Sequence, residues 1–319
     1  MATLLVARAG ILTTVQDLGR RGWGAFGVPV SGAMDAIAAR IANTLVGNPP
    51  DAPLLELTGP GAVLAVDEAR VIAVTGADLG AVINDGGSEE QPLPRWQATT
   101  LSPGQMLRFS QRRAGARAIL AVAGGLTIEP RFGSAATDVT NTLGGWEGRP
   151  LRAGDHLPLG SPPARAPSSP RPLPADVVAA VYEDPYRLRF LPPPRPTRAL
   201  TAWLEATPFL VTPQSNRVGF RLRAEGAATP VDSAPGDLVS EPIAPGTLQL
   251  PPDGHPILLM ADRQTIGGYP IAGHVIAADL SRAAQLWPGD RLRLVAVSAA
   301  EARLPLRQQA DALARWLAG

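Results

Sequence analysis

The sequence predicts a mainly β protein of two lobes with a few short helices. Three observations predict it. Glycine and proline are both abundant, at 33 and 34 of 319 residues, and helix interiors tolerate neither. Apolar residues alternate with a period of two through many short runs bounded by turn residues. A Pro-, Ala-, Arg- and Ser-rich stretch at 161–174 carries too little apolar material for a core and reads as a connection. The expected organisation is an N-terminal β lobe at 1–160, a linker at 161–180, a C-terminal β lobe at 181–300 and a helical tail at 301–319. Closed barrels and β-sandwiches both satisfy the pattern, although closure removes exposed strand edges.

Residues 4–12 read as a first strand interrupted at Gly10. A polar, Gly-rich loop follows to Asp35, which is placed to cap a helix near 35–46 with Ile37, Ile41 and Leu45 on one face. Gly47, Asn48, Pro49 and Pro50 end that helix. Residues 54–57 and 62–66 read as a hairpin around residues 58–61. Further strands are expected at 71–75, 82–84 (before an Asp85–Gly86 turn), 107–109, 117–122 and 155–159. Similar turns at 103–105, 152–155 and 288–290 hint at duplication. In the second lobe, strands are expected at 186–190, 218–222, 248–250, 257–260 and 292–297. A second Pro-rich run lies at 192–196, and a short helix or loop at 200–209. Asp279 is placed to cap a helix at 279–286, and the tail presents Leu304, Leu306, Ala310, Leu313 and Trp316.

Composition excludes several functions. With no cysteine, disulfides, thiolate chemistry and thiolate zinc sites are absent. Basic and acidic residues number 29 and 28, without the basic excess of a nucleic-acid binder. No apolar run has bilayer-spanning length and no secretory signal pattern is present, so a cytoplasmic protein engaging neither membrane nor nucleic acid is expected. Phosphate-loop, dinucleotide and HExxH signatures are missing, and His156, His255 and His274 are too dispersed for a ligand cluster. No metal site is expected, and no nucleophile–base pair identifies catalytic residues.

The candidates for binding a small molecule are polar residues in loops. Gln16, Asp17 and Arg20 lie among glycines that let backbone N–H groups approach an anion, and arginine grips carboxylates or phosphates with paired bonds. The alternative is an Asp17–Arg20 pair that fixes the turn. Ser31 and Asp35 stand at a helix start, where capping alone accounts for Asp35. Gln214, Asn216 and Arg217 form either a ligand edge or a solvated turn. Asp262, Arg263, Gln264, Thr265 and Tyr269 follow an apolar strand, the usual place for a binding loop. Gln264 and Thr265 suit an amide or carboxylate, Arg263 an anion. His274 reads as a structural partner.

Several of these segments also match a known family. TTVQDLGRRGWGAFGVPVSGAMD at 13–35, LLELTGP at 54–60, TGAD at 75–78, LGGWEGRPLRAGD at 143–155, VTPQSNRVGFRL at 211–222 and ADRQTIGGYP at 261–270 resemble the KipA-like family. It is also called the second allophanate hydrolase domain or the biotin-dependent carboxyltransferase family. The resemblance covers nearly the whole chain and implies two cyclophilin-like β-barrel lobes, without prolyl isomerase activity. It implies one component of an ATP-dependent 5-oxoprolinase that opens 5-oxo-L-proline to L-glutamate, with ATP used at the level of the complex. The implied partners are a KipI-like subunit and a LamB/YcsF-like subunit. Two alternatives accompany it: a carboxyltransferase component using biotin, as in urea carboxylase, and a non-catalytic regulatory partner of a KipI-like protein. The chain departs from the family at Ala135 and Ala136, where an Arg-Ser pair is usual, a change expected to remove an anion-binding side chain. Val218 and Ile266 replace a methionine and a threonine.

Overall fold

The structure is a computed structural model that describes residues 2–85, 90–163, 172–194, 198–226 and 239–318. The chain is mainly β and divides into two compact units. One comprises Met1–Arg21 and Ser31–Leu173, the other Gly22–Val30 and Pro174–Gly319. The short segment Gly22–Val30 thus groups with the second unit although it sits within the stretch expected as the first lobe; its Gly-rich sequence has no regular apolar period of a strand or helix to fix it in the first core. The Gly86 half of the Asp85–Gly86 turn, the middle of the 161–174 stretch and the end of the 192–196 run lie outside the described residues.

The first unit holds a six-stranded and a five-stranded sheet. Leu4, Val6, Leu64, Leu107 and Leu157 of the former share one core with Val15, Leu55, Leu57, Ile72 and Leu120 of the latter. Burying each such side chain contributes about 1.5–3 kcal/mol. The first predicted strand is two, Thr3–Ala9 and Leu12–Gln16. The expected hairpin is not one. Leu54–Thr58 pairs with Leu12–Gln16 and Ala114–Val122, whereas Ala62–Val66 pairs with Thr3–Ala9 and Met106–Phe109. The turn carries the chain from one sheet to the other, because its glycine N–H groups bond elsewhere, Gly59 to Ala116 O and Gly61 to Phe109 O. Arg70–Asp78 continues through Gly76, which has φ 75°, rather than closing there.

Helix Ala36–Leu45 packs on strands Arg70–Asp78 and Ala114–Val122. Asp35 accepts from Ala38 N–H at 3.0 Å, the capping bond expected. The three similar turns are one device. Ser102, Arg152 and Trp287 each donate their N–H to the side chain three residues on, Gln105, Asp155 and Asp290, whose N–H groups return to their carbonyls. Gly104, Gly154 and Gly289 supply the positive φ between them.

The second unit is built on a closed seven-stranded barrel. Its order is Arg187–Leu191, Ile271–Val275, Thr247–Gln249, Ile257–Leu259, Gly219–Ala224, Phe209–Val211 and Arg291–Ala296, closed by a parallel pairing of first and last. Leu188, Phe190, Phe209, Phe220, Leu248, Leu258, Leu292 and Leu294 are fully buried. Within the stretch expected as linker, Ala175–Tyr182 is a helix with Val177 and Val181 buried at a spacing of four. Pro174 precedes it, where the missing N–H costs nothing. Asp279 does not cap a long helix. A 3-10 turn, Ala277–Asp279, leads into Leu280–Ala283, and the Asp279 carboxylate instead takes the backbone N–H and guanidinium of Arg189. The tail is a helix, Ala299–Ala318, whose buried face is Pro305, Gln309, Ala312 and Trp316. Leu304 and Leu306, expected to pack, are exposed. Gln309 anchors it on Ala278 O at 2.9 Å. Among the described residues no helix is long and apolar enough to cross a membrane.

Candidate functional site

The loop after strand Leu12–Gln16 is held by its own polar side chains. Asp17 accepts three bonds, from Gly19 N–H at 2.7 Å, Ser134 Oγ–H at 2.7 Å and Ala135 N–H at 2.6 Å. Arg20, 1% exposed, donates from Nη2 to Ala136 O. Asp17 and Arg20 therefore both grip residues 134–136. Ala135 and Ala136 are buried and contribute through their backbone, so the departure from the family falls at packed positions. Gln16 donates to Thr14 Oγ1 and Thr137 O, while its Oε1 and the buried Ser31 Oγ have no hydrogen-bond partner among the described residues. Ser31 has φ 54°, in the left-handed region.

The segment 143–148 closes over this frame. A Cβ at Gly144 would lie 2.6 Å from Arg20 Nη2, and one at Gly145 would lie 1.9 Å from Thr137 Oγ1, so glycine is required for backbone approach. Beside it is a cavity of about 400 Å³ whose walls include Thr127, Glu129, Arg131, Trp146 and Glu147. No sequence candidate lines it.

In the second unit, Arg217 and Asp262 form a buried bidentate pair at 2.8 and 3.0 Å. They flank two paired strands, Gly219–Ala224 and Ile257–Leu259. Asp262 N–H also returns to Arg217 O at 2.9 Å, so the pair ties adjacent strand ends together. Asn216 is exposed and caps its own turn, accepting from Val218 N–H at 2.8 Å. Gln214 and Tyr269 are exposed. The Thr265 carbonyl accepts from Ile243 N–H.

Arg263 differs from Arg217. It is half-buried, donates to Ile243 O and Met260 O, and has no carboxylate partner among the described residues. Burial lowers its pKa, yet a guanidinium stays charged at neutral pH. An arginine held by carbonyls keeps donor capacity for an incoming anion.

Sequence reading missed the groups that accompany Arg263. Gln249, 1% exposed, accepts weakly from Gln264 Nε2 at 3.4 Å, and its own Nε2 has no partner among the described residues. On the same face of that strand, Thr247 Oγ1 donates to Ala244 O at 2.8 Å and lies 3.1 Å from His274 Nδ1. With its hydroxyl proton committed, Thr247 accepts from Nδ1–H, which leaves His274 Nε2 as an acceptor. Burial pushes this imidazole below its usual range, partly opposed by Glu241, so it is neutral at pH 7.

The structure therefore brings Gln16, Asp17 and Arg20 together on residues 134–137 of the first unit, while Asp35 caps its helix. In the second, it brings Arg263, Gln264 and Thr265 together around Ile243. Arg217 and Asp262 serve as a brace, and Gln214, Asn216 and Tyr269 stand on the exterior. Among the described residues no group of three or more His, Asp or Glu is placed to hold a metal ion.

Known proteins share this architecture. The chain is 37% identical to a 5-oxoprolinase subunit of Escherichia coli, over 94% of this chain and 93% of that one. A solved protein, TTHA0988, matches at 37% identity and a TM-score of 0.75 over 93% of this chain, which spans 56% of it. The solved urea amidolyase of K. lactis matches at 26% identity and a TM-score of 0.85 over 98% of this chain, which spans only 20% of it. The profile of the carboxyltransferase domain, subdomain A and B, matches residues 26–296, and the chain belongs to that family.

Proposed function

We propose that this protein is one subunit of an ATP-dependent 5-oxoprolinase, in which it binds 5-oxo-L-proline for opening to L-glutamate. The observation that carries the reading is Arg263, a half-buried cation without a carboxylate partner among the described residues, beside the uncommitted amide of Gln249. A lactam acid presents the matching groups, a carboxylate and an amide carbonyl flanking one ring nitrogen. Two-way coverage with the Escherichia coli 5-oxoprolinase subunit supports the same assignment.

The chemistry explains the need for a complex. Amide resonance protects a five-membered lactam, and its ring supplies little strain to drive opening. Coupling to ATP converts the carbonyl oxygen into a better leaving group. This chain's part is to hold the carboxylate at Arg263 and the carbonyl at amide donors, where negative charge develops. Two of its candidate phosphate holders are already engaged, Arg217 by Asp262 and Arg20 beneath Gly144. The ATP is therefore assigned to the assembly with the KipI-like and LamB/YcsF-like subunits. The protein is expected in the cytoplasm, where ATP is available.

The family profile and the likeness to urea amidolyase favour a second reading, a carboxyltransferase component that works with biotin. The deciding measurement is ATP hydrolysis by the co-purified subunits with 5-oxo-L-proline, urea or no substrate, with and without avidin. The expected result is stimulation by 5-oxo-L-proline that avidin leaves intact. Stimulation by urea alone, abolished by avidin, overturns the first reading in favour of the second.

A further inference from the structure

Two strands of the second unit carry the same short pattern. Arg187–Leu188–Arg189 lies on the first strand of the barrel and Arg291–Leu292–Arg293 on the last. Leu188 and Leu292 are buried in the barrel interior. Side chains alternate along a strand, so the four arginines stand on the outer wall. Two of them are engaged. Arg189 holds Asp279, and Arg291 holds Glu225 through two bonds at 2.8 and 3.2 Å. The other two, Arg187 and Arg293, are the pair that the parallel register sets side by side. Both are exposed, and neither guanidinium has a hydrogen-bond or carboxylate partner among the described residues. Like charges directly opposed on neighbouring strands destabilise a sheet, so this pairing calls for an anion between them. The backbone holds it in place, since Arg293 N–H donates to Tyr186 O at 2.8 Å.

Arg187 and Arg293 line a cavity of about 500 Å³. Its floor is the strand Arg291–Ala296. Residues 184–187 form one wall, and the end of helix Arg198–Ala206, which packs on that strand, forms the other. Three carboxylates also face this space. Glu225 is held by Arg291, and Asp184 lends its charge to Arg282. Glu205 accepts from Ala296 N–H at 3.0 Å through Oε1, while its Oε2 has no hydrogen-bond partner among the described residues. The cavity therefore presents two unmet cations on one side and an unmet carboxylate oxygen on the other. A bare dianion such as phosphate would meet the arginines and three negative groups together. A molecule with a carboxylate at one end and a cation at the other matches both sides.

We propose that this cavity binds a small amino acid as its zwitterion, with a carboxylate across Arg187 and Arg293 and the ammonium at Glu205. That the amino acid is L-glutamate, held as reaction product, rests on the oxoprolinase reading; the site itself rests on the arrangement of charges around the cavity.

The test uses the full chain, alone and co-purified with the KipI-like subunit. Calorimetry measures binding of L-glutamate, L-alanine, acetate and inorganic phosphate to wild type, Arg187→Gln, Arg293→Gln and Glu205→Gln, and each protein is melted without ligand. L-Glutamate is expected to bind the wild type more tightly than acetate or phosphate, and each variant to weaken it by more than about fivefold. Arg187→Gln and Arg293→Gln melt at or above the wild-type temperature, because the opposed charges are gone. L-Alanine bound at least as tightly as L-glutamate, and lost in the same variants, keeps the site and removes the product assignment, whatever the ATP-hydrolysis measurement gives. Acetate or phosphate bound as tightly as the amino acids, a smaller loss in any variant, a lower melting temperature in either arginine variant, or no probe bound by the wild type in either form overturns the site.

Discussion

Breaking the Arg217–Asp262 pair separates structural from functional roles in the loops around it. Two bonds, at 2.8 and 3.0 Å, join side chains that are 5% and 3% exposed. Arg217→Met leaves the Asp262 carboxylate buried without its guanidinium, and Asp262→Leu takes the bidentate carboxylate away from the buried Arg217. Removing one member of a buried pair costs about 3–5 kcal/mol, because an uncompensated charge remains in low dielectric. Replacing both by apolar side chains of similar volume is about neutral on the same argument. The backbone bonds Asp262 N–H to Arg217 O and Met260 N–H to Val218 O survive all three changes, so the strand ends stay in register. Urea unfolding gives the free energies, and hydrogen exchange in Gly219–Ala224 and Ile257–Leu259 places the loss in the barrel. Each single variant is expected to fall by the larger amount and the double variant to recover most of it. Single-variant losses under about 1 kcal/mol, the value of an exposed pair, would refute the brace. So would a double variant as unstable as the two singles added together.

Four further outcomes are expected. Asp17→Asn sets an amide N–H₂ against one of three donors, Gly19 N–H, Ser134 Oγ–H or Ala135 N–H, and costs about 1–3 kcal/mol in denaturant unfolding. Gly145→Ala places a Cβ 1.9 Å from Thr137 Oγ1 at φ +56° and lowers stability by about 2–5 kcal/mol, seen as an early melt of the first unit. Arg263→Ala in the assembled complex loses about 2–5 kcal/mol of substrate binding while its melting temperature stays near wild type; equal turnover per folded molecule would return Arg263 to a structural role. Two acid-sensitive groups have pKa values below their ordinary values in the folded state. Hydrogen bonds from Arg149 lower Asp155 below 3.8, and burial lowers His274 below 6.5. In both cases the unfolded chain takes up the proton first, so their stabilisation is whole above those values and lost as pH falls beneath them. His274→Gln should flatten the decline below pH 6.5, and Asp155→Asn the one below pH 3.8, in melting curves taken across pH.

Local rules read the chain reliably, and pairing over distance escaped them. Asp35 as a cap, the glycine turns before Leu107, Leu157 and Leu292, and the mainly β character all depend on a few neighbouring residues. The hairpin at 54–66 failed because two adjacent strands with a short turn look alike whether they pair with each other or join separate sheets. The destinations of Gly59 and Gly61 N–H decide that, and both partners are some fifty residues away. In the tail, Leu304 and Leu306 read as a packing face, yet the burial follows Pro305, Gln309, Ala312 and Trp316. Gln309 is polar, and its value lies in reaching the Ala278 carbonyl, a partner no helical periodicity reveals. Gln249 escaped for the same reason: a glutamine in a three-residue strand acquires meaning only from the residues that pack beside it.

The polar residues of the candidate loops divide by whether the fold already satisfies them. Asp17 spends both carboxylate oxygens on Gly19, Ser134 and Ala135, and Asp35 caps its helix. Asp262 closes both oxygens on Arg217. Such groups fix backbone geometry, and a ligand that sought them would have to displace a made bond of equal strength. Arg263 is different, since a carboxylate would add bonds there without breaking any. Binding energy is gained where the unliganded protein holds unmet donors, because their desolvation has already been incurred on folding. By that argument Asp17 and Asp35 are architectural, whereas Gln16 Oε1 and Ser31 Oγ in the same unit are buried with no partner among the described residues. Under the proposed function the second unit meets the substrate near Arg263, and beside it the replacement of the family's usual threonine by Ile266, 56% exposed, removes a surface hydroxyl. Ile266→Thr should therefore change discrimination among small amides more than it changes stability. Titrating this variant with 5-oxo-L-proline and urea checks it, and identical affinities for both ligands in the two proteins would show that substrates do not meet the surface at Ile266.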